Sequence, residues 1–263
     1  MLSYECSNTV FGITTNPHNP SKGPGGSSGG EGCLIGGGAS LLGIGTDIGG
    51  SSRIPAAFSG CTGFKPTSKR ISKKGCVSST PGQEGIAGSV GPMAREVDGL
   101  ALLMRALWAD GVMNKLDPTV LPFPFDEAAY GHPIKAKVEQ SGGNMPAKPG
   151  GMVIGWFDDD GFATPTASCQ RAVREARDAL TKQGHTLVEF DVKGMGVGVD
   201  SIELFAMLIG ADEGETLLKN IKNEATDEIL KDLVFLISVP KFVRRLVSWL
   251  YAFKGEPRIA RLA

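Results

Sequence analysis

The spacing of apolar and polar positions divides the chain into a glycine-rich first part, a middle with mixed element types and a helical end. Apolar residues at helical spacing predict a helix from about Arg95 to Trp108, with Leu100 and Met104 on its inner side. Glycine recurs among apolar residues through 23–66, which predicts an ordered, tightly turned segment rather than a linker. Segments without a clear period are expected to be loops: 1–22, 67–91 and 114–150.

Two apolar runs flank a stretch of helical periodicity in the middle of the chain. Strands are predicted over Met152–Phe157 and His185–Val192, because both runs are short and rich in apolar residues. The helix between them is predicted to begin after a cap at Thr166 or Ser168 and to end at Gly184. Its apolar positions are Val173, Ala176 and Leu180. A strand, a crossover helix and a second strand indicate parallel pairing and an α/β fold.

The last third is predicted to be helical, over 201–222 and again over 226–253. Residues 226–253 combine many apolar residues with basic ones, and two interpretations of this mixture remain open. One is a pair of core-packing helices with a solvated basic face. The other is a helix that lies in a membrane interface, with an apolar face that enters the lipid. That face would comprise Phe242, Val243, Leu246, Trp249, Leu250 and Phe253.

Composition and charge exclude several classes of protein. Hydrophobic residues make up 41% of the chain and charged residues 21%, as in ordinary globular proteins. A net charge of −1 gives no general attraction to nucleic acid, so no nucleic-acid partner is expected. The five cysteines are odd in number and lack metal-ligand spacing, which favours free thiols in a reducing compartment. The first residues, MLSYECSNTVFG, lack the pattern of a secretory signal.

Two serine clusters within residues 23–66 are the candidates for chemistry: PGGSSGGEG (Pro24–Gly32) and GTDIGGSSR (Gly45–Arg53). Glycine-rich turns allow successive N–H groups to point into one concavity, which binds a phosphate or an oxyanion. A phosphate-binding role lacks support, because the chain contains neither a P-loop nor a dinucleotide-binding fingerprint. Asp47 and Arg53 are interpreted as structural residues that fix the turn by hydrogen bonds.

An oxyanion-binding role for the glycine-rich turn agrees better with the sequence. Unhindered amides of Ile48, Gly49 and Gly50 stand directly before Ser51, where negative charge develops when a serine attacks a carbonyl group. A serine nucleophile also needs a base. The three histidines are more typical of structural or surface positions, so a Ser-His-Asp triad lacks support. These histidines are His18, His132 and His185.

The stretch GGSSGGEGCLIGGGASLLGIGTDIGGSSRIPAAFSGCTGFKPT resembles the motif of the amidase signature family. The resemblance implies an α/β fold, with a twisted mixed β-sheet flanked by helices, and a Ser-Ser-Lys catalytic unit. By match to the motif, Ser51 is the nucleophile and Ser27 is the bridging serine that relays its proton. The amides of Ile48, Gly49, Gly50 and Ser51 correspond to the oxyanion hole. The resemblance implies no metal and no organic cofactor.

Other segments are similar to the fatty acid amide hydrolases, a membrane-bound group within that family: MLSYECSNTVFG, NPHNPSK, GPMAREVDGLALLMRAL and LDPTVLPFPF. This similarity implies hydrolysis of fatty acid amides in lipid metabolism, through an acyl-enzyme. It also implies that residues 226–253 form a membrane-binding cap, and that Met1 corresponds to a residue near the substrate. The expected location is intracellular, with peripheral or monotopic association to an endomembrane, and a homodimer is an allowed assembly.

The chain also departs from the family pattern. The catalytic lysine of the family lies upstream of the first serine motif, and neither Lys22 nor Lys65 matches it. Residues 1–263 are therefore interpreted as a partial amidase signature domain that lacks the lysine segment and the C-terminal part. Two alternatives remain. The first is a general amidase or amidotransferase subunit of the same family, and the second is an inactive truncated chain that binds lipid or a partner.

Overall fold

The chain divides into two units, and each is built around its own sheet. The computed structural model describes residues 4–78, 85–131, 151–223, 226 and 228–253. The first unit comprises Met1–Phe125 and Met207–Ala263, and the second comprises Asp126–Ala206. The glycine-rich segment with both serine clusters lies in the first unit, which therefore holds the candidate site.

The first unit begins with short strands and helices in alternation. In chain order they are β1 (Ser7–Asn8), β2 (Gly12–Ile13), α1 (Gly29–Gly36), β3 (Leu42–Asp47), α2 (Arg53–Ser59), β4 (Thr62–Gly63), β5 (Ser89–Ala94), α3 (Val97–Trp108) and α4 (Val112–Leu116). Strands β1 and β2 form an antiparallel hairpin. Strands β3, β5 and β4 form an antiparallel sheet with β5 in its centre.

The two faces of β5 pack against different apolar clusters. Every residue of β5 is buried. Met93 packs with Ile35 of α1 and Ala56 of α2. Val90 lies three positions earlier and therefore points to the opposite face, where it packs with Met104 of α3. The central strand thus fixes α1 and α2, which follow the two serine clusters, on one side of the sheet.

Helices α1 and α2 approach each other closely at Gly36. A Cβ atom added to Gly36 would collide with the carbonyl oxygen of Ser59 and would lie 2.9 Å from the Ser59 Cβ. Ser59 is itself fully buried at the end of α2. A second contact joins α1 to the sheet, because the Glu31 carboxylate accepts a hydrogen bond of 3.1 Å from the Ile44 amide of β3. The first contact depends on the absence of a side chain at Gly36, and the second depends on the carboxylate of Glu31.

The second unit contains the parallel strand pair that the sequence predicts. Its elements are α5 (Glu127–Gly131), β6 (Val153–Trp156), α6 (Ala167–Lys182), β7 (Thr186–Glu189) and the start of α7 (Val197–Ile209). Strands β6 and β7 pair in parallel, with Val153 opposite Thr186. The Thr166 hydroxyl accepts a hydrogen bond from the Cys169 amide, so Thr166 rather than Ser168 caps α6. These observations confirm the predicted strand–helix–strand order.

The helices at the end of the chain are shorter than the two predicted segments. After α7 they are α8 (Glu215–Asn220), α9 (Lys231–Ser238) and α10 (Lys241–Phe253). Pro240 separates α9 from α10, as expected for a residue that cannot continue a helix. Within the described residues, none of the helices has both the length and the apolar character that crossing a bilayer requires.

Some elements lie where the sequence predicted loops. Strand β5 begins inside 67–91, the hairpin of β1 and β2 lies inside 1–22, and helix α5 lies inside 114–150. Residues 132–150 and His132 fall outside the described part of the chain. The sequence of β5 contains Gly91 and Pro92, which are unfavourable in isolated strands, and burial on both faces compensates for this.

We expect Gly36→Ala to lower the free energy of unfolding by about 1–3 kcal/mol, because its methyl group would overlap the Ser59 backbone. Gly30→Ala in the same helix is the matched control, since an added Cβ there meets nothing within 4 Å. The control should change stability by less than about 1 kcal/mol. Urea denaturation of both variants measures the difference, and equal stabilities would show that α1 and α2 are not closely packed at Gly36.

Candidate active site

Both predicted catalytic serines lie just before the first turn of a helix. Ser27 precedes Ser28, the residue before α1, and Ser51 precedes Ser52, the residue before α2. Ser51 is buried, with 3% of its surface exposed, whereas Ser27 is half-buried. We call 24–28 the first serine loop and 47–52 the second serine loop. In each cluster the second serine is therefore the residue directly before the helix.

A backbone hydrogen bond joins the two serine loops. The Ser28 amide donates to the Ser51 carbonyl oxygen at 2.9 Å. The Ser28 hydroxyl accepts from the Thr46 amide at 3.2 Å and donates to the Thr46 carbonyl oxygen at 3.4 Å. Ser28 therefore ties the start of α1 to the end of β3, and the segments that carry Ser27 and Ser51 lie side by side.

Asp47 closes the second serine loop with one buried carboxylate. Its Oδ1 atom accepts from the Gly50 amide at 2.7 Å and from Arg53 Nη2 at 3.0 Å. Its Oδ2 atom accepts from the Ser52 hydroxyl and from Arg53 Nε, both at 2.9 Å, and from the Ser52 amide at 3.2 Å. The interpretation of Asp47 and Arg53 as residues that fix the turn is confirmed.

These bonds keep the Asp47 carboxyl group ionised. Burial by itself raises the pKa of Asp47, but the hydrogen bonds from Arg53, Gly50 and Ser52 outweigh it and hold the pKa well below its usual value. The hydrogen bond to Asp47 raises the pKa of Arg53, which also favours the charged form of that side chain. The pair therefore stays charged at every pH at which the protein is expected to work.

Gly50 shows why the motif places glycine directly before Ser51. Its φ angle is +124°, a conformation that L side chains rarely adopt. Its amide donates to Asp47 Oδ1, so this N–H already has a charged acceptor. The sequence placed the same amide in the oxyanion hole, together with those of Ile48, Gly49 and Ser51. Ile48 and Gly49 are half-buried, and their role in binding an oxyanion stays a prediction.

The described histidines have structural partners, as the sequence indicated. His18 Nε2 lies 2.9 Å from the Ser59 carbonyl oxygen at the end of α2. In the second unit, His185 Nδ1 accepts a hydrogen bond of 3.1 Å from the Met152 amide. Lys22 is exposed and Lys65 is half-buried. Of the two histidines that the structure describes, neither makes the hydrogen bond to Ser51 that a base would need.

Two further results concern Met1 and the second serine of each cluster. Met1, predicted to lie near the substrate, falls outside the described residues. The sequence also allowed Ser28 to be a turn residue that bonds nearby backbone, and its hydroxyl does bond the Thr46 backbone. Ser52, in contrast, was not assigned a role from the sequence, although its hydroxyl donates to Asp47 and so helps to shape the second serine loop.

Comparison with known proteins decides the family. The sequence profile of the amidase family matches residues 1–253. This chain belongs to the amidase family. The chain is 42% identical over 263 residues to fatty-acid amide hydrolase 1 of Sus scrofa, covering 100% of this chain and 42% of that protein. It is 43% identical over 261 residues to the vitamin D3 hydroxylase-associated protein of Gallus gallus, covering 99% of this chain and 52% of that protein.

Solved structures confirm the fold class. A fatty acid amide hydrolase structure matches with a TM-score of 0.73 and 31% identity, covering 95% of the amidase chain and 43% of that chain. A bacterial aryl acylamidase of the amidase signature family matches with a TM-score of 0.64 and 25% identity, covering 91% and 47%. The chain therefore has the α/β amidase signature fold, and it spans about half or less of the length of these relatives.

We expect Asp47→Asn to destabilise the folded chain by about 2 kcal/mol or more at pH 7, because it removes a buried, paired charge. The folded-state pKa of Asp47 is depressed, so its stabilisation is complete above about pH 4 and is lost as the pH falls through the lower folded value. The difference between wild type and variant should therefore shrink towards pH 2.

Urea denaturation of both proteins at pH 7 and at acidic pH measures this difference. Asp232→Asn, on an exposed position of α9, is the matched control and should change stability by less than about 0.5 kcal/mol at either pH. A difference between wild type and Asp47→Asn that stays constant with pH would contradict the assignment of a depressed pKa to Asp47.

Proposed function

We propose that this amidase chain carries the nucleophile of a serine hydrolase that cleaves the amide bond of fatty acid amides. The observation that carries the proposal is the hydrogen bond from the Ser28 amide to the Ser51 carbonyl oxygen, which holds the two serine loops together. Membership of the amidase family supports the reaction class. The chain spans 42% of the pig relative, so the activity is proposed for the protein with its whole catalytic unit.

The proposed reaction proceeds through an acyl-enzyme. Ser51 Oγ attacks the amide carbonyl carbon while its proton passes to Ser27 Oγ, and the Ser27 proton passes to the lysine base that the family supplies. Collapse of the tetrahedral intermediate breaks the C–N bond, and the nitrogen takes a proton and leaves as ammonia or an amine. Water then attacks the ester on Ser51 and releases the fatty acid, and Ser51 regains its proton.

The oxyanion of the intermediate would be bound by backbone amides of the second serine loop. The amides of Ile48, Gly49 and Ser51 are the proposed donors, because the Gly50 amide already donates to Asp47. Asp47 contributes indirectly, since it fixes the turn on which these amides stand. Preorganised donors of this kind need no rearrangement when the negative charge forms.

The substrate class is supported by the relatives rather than by a described pocket. A fatty-acid amide hydrolase of pig is 42% identical, and one of Caenorhabditis elegans is 36% identical over 250 residues. An acetamidase of Aspergillus oryzae is 33% identical over 236 residues, which leaves a general amidase or amidotransferase subunit as the second candidate. Hydrolysis rates for a long-chain primary amide and for acetamide would separate the two candidates.

The face of α10 supports membrane association. Its exposed apolar residues recur at helical spacing, so they form one stripe: Phe242, Leu246, Trp249 and Phe253. The positions between them include Arg244, which pairs with Glu213 at 2.8 Å. Such a stripe beside charged residues is typical of a helix in a membrane interface. We therefore propose peripheral or monotopic association with an intracellular membrane, where a homodimer could also form.

We expect a fluorophosphonate probe to label Ser51 when the chain is fused to the segment that precedes the matched region in the pig relative. That segment carries the lysine that the resemblance implies, and fluorophosphonates react with activated serines. Ser51→Ala should abolish labelling, and Ser27→Ala should slow it about 100-fold or more because the proton relay is lost. Peptide mapping by mass spectrometry identifies the labelled residue.

Ser168→Ala, in α6 of the second unit, is the matched control and should label at the wild-type rate. Parallel labelling of the chain without the added segment tests the role of the lysine. If neither folded form is labelled at Ser51, the hydrolase proposal fails and an inactive chain that binds lipid or a partner becomes the better interpretation.

We expect the double variant Phe242→Ser with Trp249→Ser to bind lipid vesicles at least about tenfold more weakly, because it removes two large apolar side chains from the exposed face of α10. Flotation with vesicles of phosphatidylcholine and phosphatidylserine measures binding. Phe162→Ser with Phe190→Ser is the matched control, as these side chains are 52% and 53% exposed in the second unit. Equal flotation of the two double variants would contradict the assignment of α10 as the lipid-binding face.

A further inference from the structure

Ile54 occupies the first turn of α2, three residues after Ser51. Its amide donates to the Gly50 carbonyl oxygen at 2.7 Å, so its backbone is anchored to the second serine loop. Its side chain is half-buried, unlike the fully buried residues of the nearby core. The hydrolysis mechanism proposed above assigns no role to this side chain.

The two ends of the Ile54 side chain contact different serine loops. A Cβ atom added to Gly25, in the first serine loop, would lie 3.0 Å from Ile54 Cγ2. A Cβ atom added to Gly50, in the second serine loop, would lie 2.6 Å from Ile54 Cδ1. Neither glycine has a side chain, so both methyl groups of Ile54 pack directly on the backbones of the two loops.

We propose that Ile54 is a positioning residue, whose side chain holds the loop of Ser27 and the loop of Ser51 at a fixed separation. The proposal rests on the proposed function, because the two loops carry the nucleophile and the bridging serine of that reaction. Proton transfer between two hydroxyl groups requires hydrogen-bond distance, so a small change in the separation of the loops lowers the rate.

Other contacts between the loops do not fix this separation alone. The Ser28 amide and the Ser51 carbonyl oxygen form one hydrogen bond, which permits rotation about its axis. A Cβ atom added to Gly25 would also lie 3.4 Å from Phe58 Cδ2 and 3.4 Å from the Cα atom of Pro55. Among the described residues other than the chain neighbours of Gly50, the atoms within 4 Å of a Cβ added to Gly50 all belong to Ile54. Of the side chains nearest to Gly25 and Gly50, Ile54 is thus the one that approaches both glycines.

The test removes one methyl group and leaves the other. Ile54→Val deletes Cδ1, which packs on Gly50, and retains Cγ2, which packs on Gly25. In the fused protein used for labelling, we expect the maximal rate of fluorophosphonate reaction at Ser51 to fall about tenfold, with little change in the probe concentration that gives half this rate. Ile54→Ala, which deletes both contacts, should lower the maximal rate further.

Ile71→Val is the matched control, because Ile71 is buried in the cluster on the opposite face of β5 and loses the same methyl group. Both valine variants should lower the melting temperature by a similar amount, about 2–4 °C. Only Ile54→Val should change the labelling rate. Equal labelling rates for the two valine variants would overturn the proposal, since a purely structural role predicts that result.

A second measurement does not depend on enzyme activity. Amide hydrogen exchange at Ser28, followed by NMR on the chain itself, reports opening of the hydrogen bond to Ser51. Ile54→Val should accelerate this exchange more than exchange at Ala56, whose amide donates to the Ser52 carbonyl oxygen at the start of α2. If wild type is not labelled, the proposed function fails but this exchange still tests the role of Ile54. Unchanged Ser28 exchange in Ile54→Val would overturn the positioning role.

Discussion

The buried carboxylate of Asp47 is the constraint on which the candidate site depends. An ionised group with no exposed surface is tolerated only when hydrogen bonds and an opposite charge replace its lost hydration. Asp47 obtains these from Gly50, Ser52 and Arg53, all of which lie within six residues of it. The chain must therefore turn sharply directly after β3. That turn places Ser51 between the end of a sheet strand and the start of a helix.

The close approach of α1 and α2 extends this constraint to the second motif. Because Gly36 lets α1 lie against Ser59, the loops that precede the two helices also lie side by side. The hydrogen bond between Ser28 and Ser51 then joins the loops at the ends that lead into the two helices. The glycine content of the segment thus reflects helix packing and backbone contact, and both bring together serines that are 24 residues apart in sequence. Without this packing, the turn at Asp47 would position Ser51 but not Ser27.

Features that depend on nearby residues could be predicted from the sequence, and features that depend on distant contacts could not. The helix ending at Trp108 and the strand pair around α6 follow from periodicity, and the role of Asp47 with Arg53 follows from two opposite charges in one turn. Strand β5 was missed because Gly91 and Pro92 disfavour a strand, and it is stabilised by burial between two clusters and by pairing with β3 and β4, which are distant contacts. The acceptor of the Gly50 amide could not be predicted from the sequence either, because this N–H group can donate to a side chain or to a ligand.

The difference in exposure between the two serines bears on their assignment. Ser51 is almost completely buried, so a negative charge beside it would be shielded from water and strongly affected by preorganised dipoles. Ser27, Ile48 and Gly49 are half-buried and so remain accessible next to it. A nucleophile should be sheltered from water, whereas a relay must receive a proton on one side and deliver it on the other. The roles of Ser51 as the attacking residue and Ser27 as the relay rest on the family motif and stay predictions, and the different burial of the two serines is the property that would suit each to its proposed step.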